Sequence, residues 1–278
     1  MKKIYIVNPA AGHGKAKRMA EELKNSQSDC ESEILITSGA GDATEIARRY
    51  SCGDNRVYSV GGDGTINEVI NGSIGGESRV CIIPAGSGND LIRSVDDISG
   101  DCDIDVGSVN GRYFANIASI GFDADVAHNA KRFKKIPLLG GLSYYISIFY
   151  TLIKKKPLKV TIDIEGEPEF CGEKELLLLA VANGKYYGGG IKIAPSARIN
   201  DGLLDICIIE NLSRFKILTL LPKFFAGTHE KLKQVKFVSA KKIKILRDEP
   251  GPISIDGEII SVKDMDFDIL PGGLKIFV

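Results

Sequence analysis

The sequence carries no net charge: 36 lysines and arginines balance 36 aspartates and glutamates. That argues against a nucleic-acid binder working through a global positive field, and no nucleic-acid partner is expected. The six cysteines, Cys30, Cys52, Cys81, Cys102, Cys171 and Cys207, form no C-x-x-C pair. Zinc sites and disulfide frameworks need clustered spacings, so these residues read as buried, reduced thiols of a cytoplasmic protein. Three histidines, His13, His128 and His229, also lack ligand-like spacing and read as surface residues. The apolar run behind Met1-Lys2-Lys3 ends at Asn8-Pro9, too soon for the hydrophobic region of a secretory signal. Repeats and low-complexity tracts are missing.

Long uncharged stretches are missing as well, with one exception at 136–153. Its length raises the question of a membrane span. However, it stands alone and contains Pro137, Gly140, Gly141 and two serines, so a helix covering a lipid cleft or packing in the core is the better reading. Lys131, Arg132, Lys134, Lys135, Lys154, Lys155, Lys156 and Lys159 bracket it, and no acid occurs from 131 to 159. Such a patch would be drawn to anionic head groups at about 1 kcal/mol per basic residue; a solvated basic face is the alternative. Peripheral membrane contact is therefore expected. The oligomeric state is not readable, and a homodimer stays open.

What is present is ordinary globular composition, 44% apolar and 26% charged over 278 residues, enough for two domains. Strand-like runs at 4–7, 33–37, 56–60 and 80–83 alternate with helical patterns at 15–26, 42–50 and 65–71. This predicts an α/β domain with a mostly parallel, doubly wound sheet over residues 1–124. From about Asp125, runs at 158–164, 175–181, 203–209, 243–246, 253–255 and 267–270 have few helical patterns between them. They predict a β-rich, sandwich-like domain over 125–278, whose last residues are free to return to the first domain.

Three predicted strands of the first part end in glycine loops: Asn8-Pro9-Ala10-Ala11-Gly12-His13-Gly14-Lys15, Gly61-Gly62-Asp63-Gly64-Thr65 and Pro84-Ala85-Gly86-Ser87-Gly88-Asn89-Asp90. Loops at the carboxyl ends of parallel strands converge on one ligand site. Glycines there let backbone N–H groups approach phosphate oxygens, as a polyphosphate cradle requires. Neither G-x-x-x-x-G-K-[ST] nor a helix-opening G-x-G-x-x-G is present, so Walker-type and ordinary dinucleotide binding are set aside. Thr65 and Ser87 offer hydroxyl donors. An acid among phosphates, Asp63, makes sense with magnesium between them; an Asp-Gly turn is the alternative.

These residues together resemble the diacylglycerol kinase catalytic domain: Gly61 to Thr65 followed by Asn67-Glu68, the Asn8-Pro9 loop with Gly12 and Gly14-Lys15, and Gly86 with Asn89-Asp90. The family includes bacterial diacylglycerol and related lipid kinases and the sphingosine and ceramide kinases. The resemblance runs through Asp256-Gly257-Glu258 and implies an active site in the cleft between the domains. It implies ATP bound by Asn8, Pro9, Ala10, Ala11, Gly12, Thr37, Gly61, Gly62, Asp63, Gly64, Thr65 and Ser87, where relatives often carry threonine in place of Ser87. Glu258 is implied as the proton acceptor, with Asp63 either the magnesium-network carboxylate or itself the base. Read from the residues alone, Asp256-Gly257 serves equally as a hairpin turn. A structural magnesium site is implied at Asp201 with the carbonyls of Arg198 and Leu203, against an Asn-Asp-Gly turn as the plain alternative. The implied activity is transfer of the ATP γ-phosphate to a membrane-lipid hydroxyl, diacylglycerol or a relative. NAD kinases share the Gly-Gly-Asp-Gly-Thr loop but not the other two loops together, which leaves phosphorylation of a soluble acceptor as the alternative. A non-catalytic nucleotide-binding regulator would be expected to lack Asp63, Asp256 and Glu258.

Overall fold

β1 (Lys2–Val7) turns Ile4 and Ile6 to one face and Val7 to the other, the period-2 alternation of a strand covered on both sides. α1 (Lys15–Ser26) covers the Val7 face through Ala16 and Ala20. α2 (Asp42–Arg49) and α3 (Asp63–Ser73) cover the other. On α2, Ala43, Ile46 and Ala47 recur at helical spacing and pack with Ile66, Val69 and Ile70 of α3 against Ile4, Ile6 and Val57. Between these helices run β2 (Ser32–Ile36), β3 (Asn55–Gly61) and β4 (Arg79–Pro84), all parallel to β1, in the order β2, β1, β3, β4. The doubly wound reading holds. In this computed structural model residues 1–26, 31–86, 88–133 and 143–278 are described; Cys30, Lys134, Lys135, Ser87 and the first part of 136–153 fall outside them.

A short helix α4 (Asp90–Ser94) leads into β5 (Asp101–Val109), β6 (Arg112–Phe114) and β7 (Ile117–Gly121). Two helices follow, α5 (Phe122–Phe133) and α6 (Ser143–Lys154). The β-rich part continues with β8 (Leu158–Ile164), β9 (Gly172–Ala182), the short pair β10 (Tyr186–Tyr187) and β11 (Ile191–Lys192), and β12 (Leu204–Glu210). After α7 (Arg214–Phe225) come β13 (Val235–Ala240), β14 (Lys242–Leu246), β15 (Gly251–Ile255), β16 (Glu258–Val262) and β17 (Met265–Phe277). Its pairings are antiparallel, and its core joins Ile120, Val160, Ile162, Leu179, Ile206, Ile245 and Phe267.

β17 runs through both parts. Its beginning pairs antiparallel with β14 and β5; past an irregularity between Leu270 and Leu274, Ile276 and Phe277 pair parallel with Val80 and Cys81 of β4. One strand thus continues the parallel sheet and enters the antiparallel one. Where β3 and β4 end, the cleft begins.

Two smaller expectations are corrected. Cys81 and Cys207 are buried, but Cys52 is exposed on a loop. His229 is fully buried rather than at the surface: it stacks on Phe224 at 4.9 Å and its Nε2 lies 3.0 Å from the Ile193 carbonyl. Burial pushes its pKa down, which suits a neutral core ring.

Candidate active site

The three glycine loops do converge. Asn8 to His13, Thr37, Gly62 to Thr65, Gly86 and Gly88 line one cleft of about 840 Å³, together with Asp256 and Gly257 from the other half of the chain. The loops lie almost on top of one another. A Cβ on Gly86 would stand 2.5 Å from the Gly62 Cα, so no side chain fits between the two turns. Amides of Ala85 and Gly86 both donate to the Gly61 carbonyl, at 2.8 and 3.2 Å.

Asn8 ties the first loop to the second. Its Nδ2 donates to the Thr65 Oγ1 at 3.1 Å, while its Oδ1 accepts from the Ala10 amide at 3.1 Å. Because the Thr65 oxygen accepts there, its own proton is left to donate elsewhere. Thr37 is buried, and its hydroxyl donates to the Val7 carbonyl at 3.3 Å, so it fastens the end of β1 as well as lining the cleft.

Asp63 opens α3, where a carboxylate suits the positive end of the helix. Its two oxygens accept from the amides of Asn89 (3.1 Å) and Asp90 (2.9 Å), binding the second glycine loop to the third. Asp90 is itself buried and reaches into the other half of the chain, accepting from the Gly189 amide at 2.9 Å and facing Arg93 at 3.1 Å. Burial pushes its carboxyl up; the Gly189 amide pulls it back, and the Asp63 charge adds to the rise. A smaller cavity of about 260 Å³ continues inward from the cleft. Asp63, Asp90 and Asp256 line it with Asn67, Asn116 and Tyr187, and among the described residues no lysine or arginine does.

Asp256 and Gly257 form the two-residue turn between β15 and β16, with φ of 45° and 84° and Ile255 paired to Glu258. Both positive values fit a type I′ hairpin turn. The turn and the site are therefore one feature. The Asp256 carboxylate accepts four hydrogen bonds: from the amides of Ala115 (2.8 Å), Asn116 (3.1 Å) and Ile117 (2.9 Å) and from Asn67 Nδ2 (3.0 Å). Burial pushes its carboxyl up and these donors pull against that rise; such a donor set suits an ionised carboxylate. Glu258 stands at the rim, exposed, and pairs with Arg112 rather than lining the cleft.

Asp201 is exposed, and its Oδ1 accepts from the Leu203 amide at 3.1 Å, closing a turn around Gly202 (φ 73°). Arg198 is exposed nearby. Among the described residues no three His, Cys, Asp or Glu side chains are grouped to hold a metal ion. A cation at Asp201 would depend on one carboxylate and backbone carbonyls. Asp90, Asn116 and the Tyr186–Tyr187 pair were missed as site residues. Asp90 carries a sequence signal, lying inside the third loop; the others reach the cavity only by folding.

A nucleotide-sized cleft walled by glycine loops on one side and an acidic hairpin on the other is the arrangement of a two-lobed phosphate-handling fold. The family of the diacylglycerol kinase catalytic domain matches residues 2–112, and that of the YegS C-terminal NAD kinase beta sandwich-like domain matches residues 116–278. The diacylglycerol kinase of Bacillus subtilis (strain 168) is 31% identical over 277 residues, covering 93% of this chain and 90% of the relative. The diacylglycerol kinase of Mycobacterium tuberculosis is 31% identical over 296 residues, covering 98% and 93%. A solved structure from Bacillus anthracis str. Sterne, provisionally titled a diacylglycerol kinase, superposes with a TM-score of 0.75 at 26% identity, covering 99% of this chain and 94% of that one. This chain belongs to the diacylglycerol kinase family.

Proposed function

We propose that the protein is an ATP-dependent lipid kinase that transfers the γ-phosphate to a lipid hydroxyl, diacylglycerol or a close relative. One observation carries the reading: the glycine-lined cleft continues into a cavity walled by three carboxylates, with room for a hydroxyl acceptor between nucleotide and hairpin. Loop amides, the α3 N-terminus and the Thr65 hydroxyl would hold the phosphates. Three acids with Arg93 as the one base among the described residues paired to them, through Asp90, are a hard-oxygen environment that fits Mg²⁺, and Asp63 and Asp90 would hold it. When bound, the ion offsets the phosphate charge.

In the transfer, the acceptor oxygen bonds to the γ-phosphorus as the bond to the β-phosphate oxygen breaks, and the hydroxyl proton goes to a carboxylate. Glu258 takes that role by leaving Arg112 for the cleft; Asp63, already lining it, is the alternative. Asp201 keeps a second oxygen for a structural Mg²⁺, with the carbonyls of Arg198 and Leu203 beside it.

The setting is the cytoplasmic face of a membrane, touched peripherally. No helix of the described residues is long and apolar enough to cross a membrane. Instead α6 and α7 each bury one face and expose apolar residues on the other: Phe149 at 57%, Ile153 at 67% and Phe215 at 77%. Exposed Lys154, Lys156, Arg214 and Lys216 lie among them. The helix ends are neighbours, since the Lys155 Nζ donates to Asn211 at 2.6 Å and burial, with the Arg214 charge, pushes the Lys155 pKa down. Apolar tips among cations suit an anionic bilayer surface.

The test is transfer of labelled γ-phosphate to a lipid panel and to NAD in detergent micelles. A labelled lipid made with Mg²⁺, lost on chelation and in Asp63→Ala, is expected. NAD labelled in place of every lipid would move the acceptor to the soluble class. Turnover surviving Glu258→Gln would remove Glu258 as the base.

A further inference from the structure

Behind the acidic cavity lies a second, apolar one of about 70 Å³, lined by Ile148 of α6, Leu178 of β9 and Ile217 and Leu221 of α7. Tyr187 lines both cavities and so stands at their junction. One acid, Asp123 in the first turn of α5, faces this apolar cavity. Both of its carboxylate oxygens are buried with no hydrogen-bond partner among the described residues, and so is the hydroxyl of Ser119 on β7. Leaving such a group unpaired costs about 1–3 kcal/mol, and more when it is charged. An orphaned acid facing this cavity, with an orphaned hydroxyl beside it, points to a ligand that supplies the missing donor.

The titratable and charged surroundings are few. Burial pushes the Asp123 carboxyl up to about 7; the Ser119 hydroxyl, the Ala124 and Asp123 amides and the Tyr187 hydroxyl pull it part of the way back without completing a well-formed hydrogen bond. The Cys207 thiol on β12 feels the Asp123 charge and is itself pushed up by burial, so it stays neutral. Among the described residues, no lysine, arginine or histidine lines the cavity from α5, α6, α7, β9, β10, β11 or β12.

We propose that Asp123 and Ser119 recognise a second hydrogen-bond-donating group of the lipid acceptor, a hydroxyl or an ammonium placed close to the hydroxyl that is phosphorylated. The inference rests on the lipid-kinase reading and deepens it. The reacting hydroxyl lies beside Asp63 and Asp90, the second donor meets Asp123 past Tyr187, and a single chain continues between α6 and α7. A monoacylglycerol or a long-chain amino alcohol has that pattern. A diacylglycerol presents only ester oxygens there, which an ionised carboxylate repels.

The experiment compares a monoacylglycerol, a long-chain amino alcohol and a diacylglycerol of matched chain length in mixed micelles from pH 6 to pH 8. Wild type, Asp123→Asn and Asp123→Leu are assayed, with the KM for ATP measured alongside. A site built to pair a polar group discriminates strongly against a substrate lacking it, so wild type is expected to favour a second-donor lipid in kcat/KM by roughly tenfold or more at pH 8. The preference should shrink towards pH 6 as Asp123 takes up its proton. Both variants should lose the preference and its pH dependence while the KM for ATP holds. Which second-donor lipid wins tells hydroxyl from ammonium. Asp123→Leu should also unfold at a higher temperature at pH 8, because an unpaired buried acid is gone; a lower Tm would show a carboxylate already satisfied within the fold and overturn the proposal. Wild type preferring diacylglycerol, or variants keeping the wild-type ratio, would overturn it too. Those results leave lipid phosphorylation standing, whereas no phosphorylation of any lipid defeats the function itself.

Discussion

Replacing Asp256 by Asn alters a single atom type, and the hydrogen bonds around that atom set the cost. The two carboxylate oxygens divide four donors between them: Oδ1 takes the amides of Asn116 and Ile117, and Oδ2 takes the Ala115 amide and Asn67 Nδ2. An asparagine keeps the turn, since it tolerates the positive φ of 45° found here. Its side chain nevertheless turns one acceptor into a donor. Whichever way the amide faces, two donors meet an NH₂ group and lose their partner. At about 1–3 kcal/mol for each unpaired buried group, the expected loss is about 2–6 kcal/mol. That is a large part of the ~5–15 kcal/mol by which a domain is stable.

Asn67→Ala is the control, because it removes one donor and leaves the three backbone amides bonded; it should cost only about 1 kcal/mol. Urea unfolding of wild type and both variants reads the difference as a shift in midpoint at constant slope. Asp256→Asn is expected to fall well below Asn67→Ala. If the two variants unfold together, the Asp256 carboxylate is not the common acceptor of these donors, and the account of the hairpin as the fastening between α3 and the β-rich half fails.

Other consequences are equally open to measurement. Gly86→Ala would put a Cβ 2.5 Å from the Gly62 Cα; forcing the loops apart should cost about 1–3 kcal/mol of stability and raise the KM for ATP more than the KM for lipid. Asp123 has a folded-state pKa of about 7 against an ordinary value of 3.8. The folded protein therefore holds the extra proton in that interval, and stability should fall as pH rises from about 4 to about 7 and level off above, by at most about 4 kcal/mol. Denaturation at pH 5 and pH 8 checks the sign, and Asp123→Asn should flatten the curve. Phe149→Ser with Phe215→Ser removes exposed apolar tips of α6 and α7; cosedimentation with anionic vesicles should drop, by roughly tenfold if each ring inserts, while thermal stability holds.

How far these features could be read beforehand depended on where their partners lie in the chain. The loops at Asn8, Gly61 and Gly86 announce themselves because the glycines that permit close backbone approach are local, and a parallel sheet brings the ends of its strands together whatever else happens. Strand and helix positions of the α/β part follow from the same local periodicity. α7 was invisible because Pro222 lies inside it; the proline is accommodated while Ile217 and Leu220 are buried against the sheet, a tertiary compensation that propensity does not contain. β5 was missed because Asp101, Asp103 and Asp105 break up its apolar pattern, and its place is fixed by β17, more than a hundred residues later.

The same reasoning explains why the parts of the candidate site were readable and their arrangement was not. Asp256-Gly257 satisfied two readings, turn and site, and there was no need to choose, since the turn geometry is what aims the carboxylate at Asn67 and at the amides of residues 115–117. Glu258, one residue beyond the turn, pairs with Arg112 at the rim, a contact no motif encodes. Asp123 is the extreme case. In sequence it is an acid in the first turn of a helix, where acids are expected and need no ligand. It becomes unusual only once α6, α7 and β9 close over it, so that their apolar cover is what strips the carboxylate of water. On the proposed reading, acceptor choice is tied to the packing of two helices whose outer faces are exposed and apolar, and a change at either helix should alter both vesicle binding and the lipid preferred.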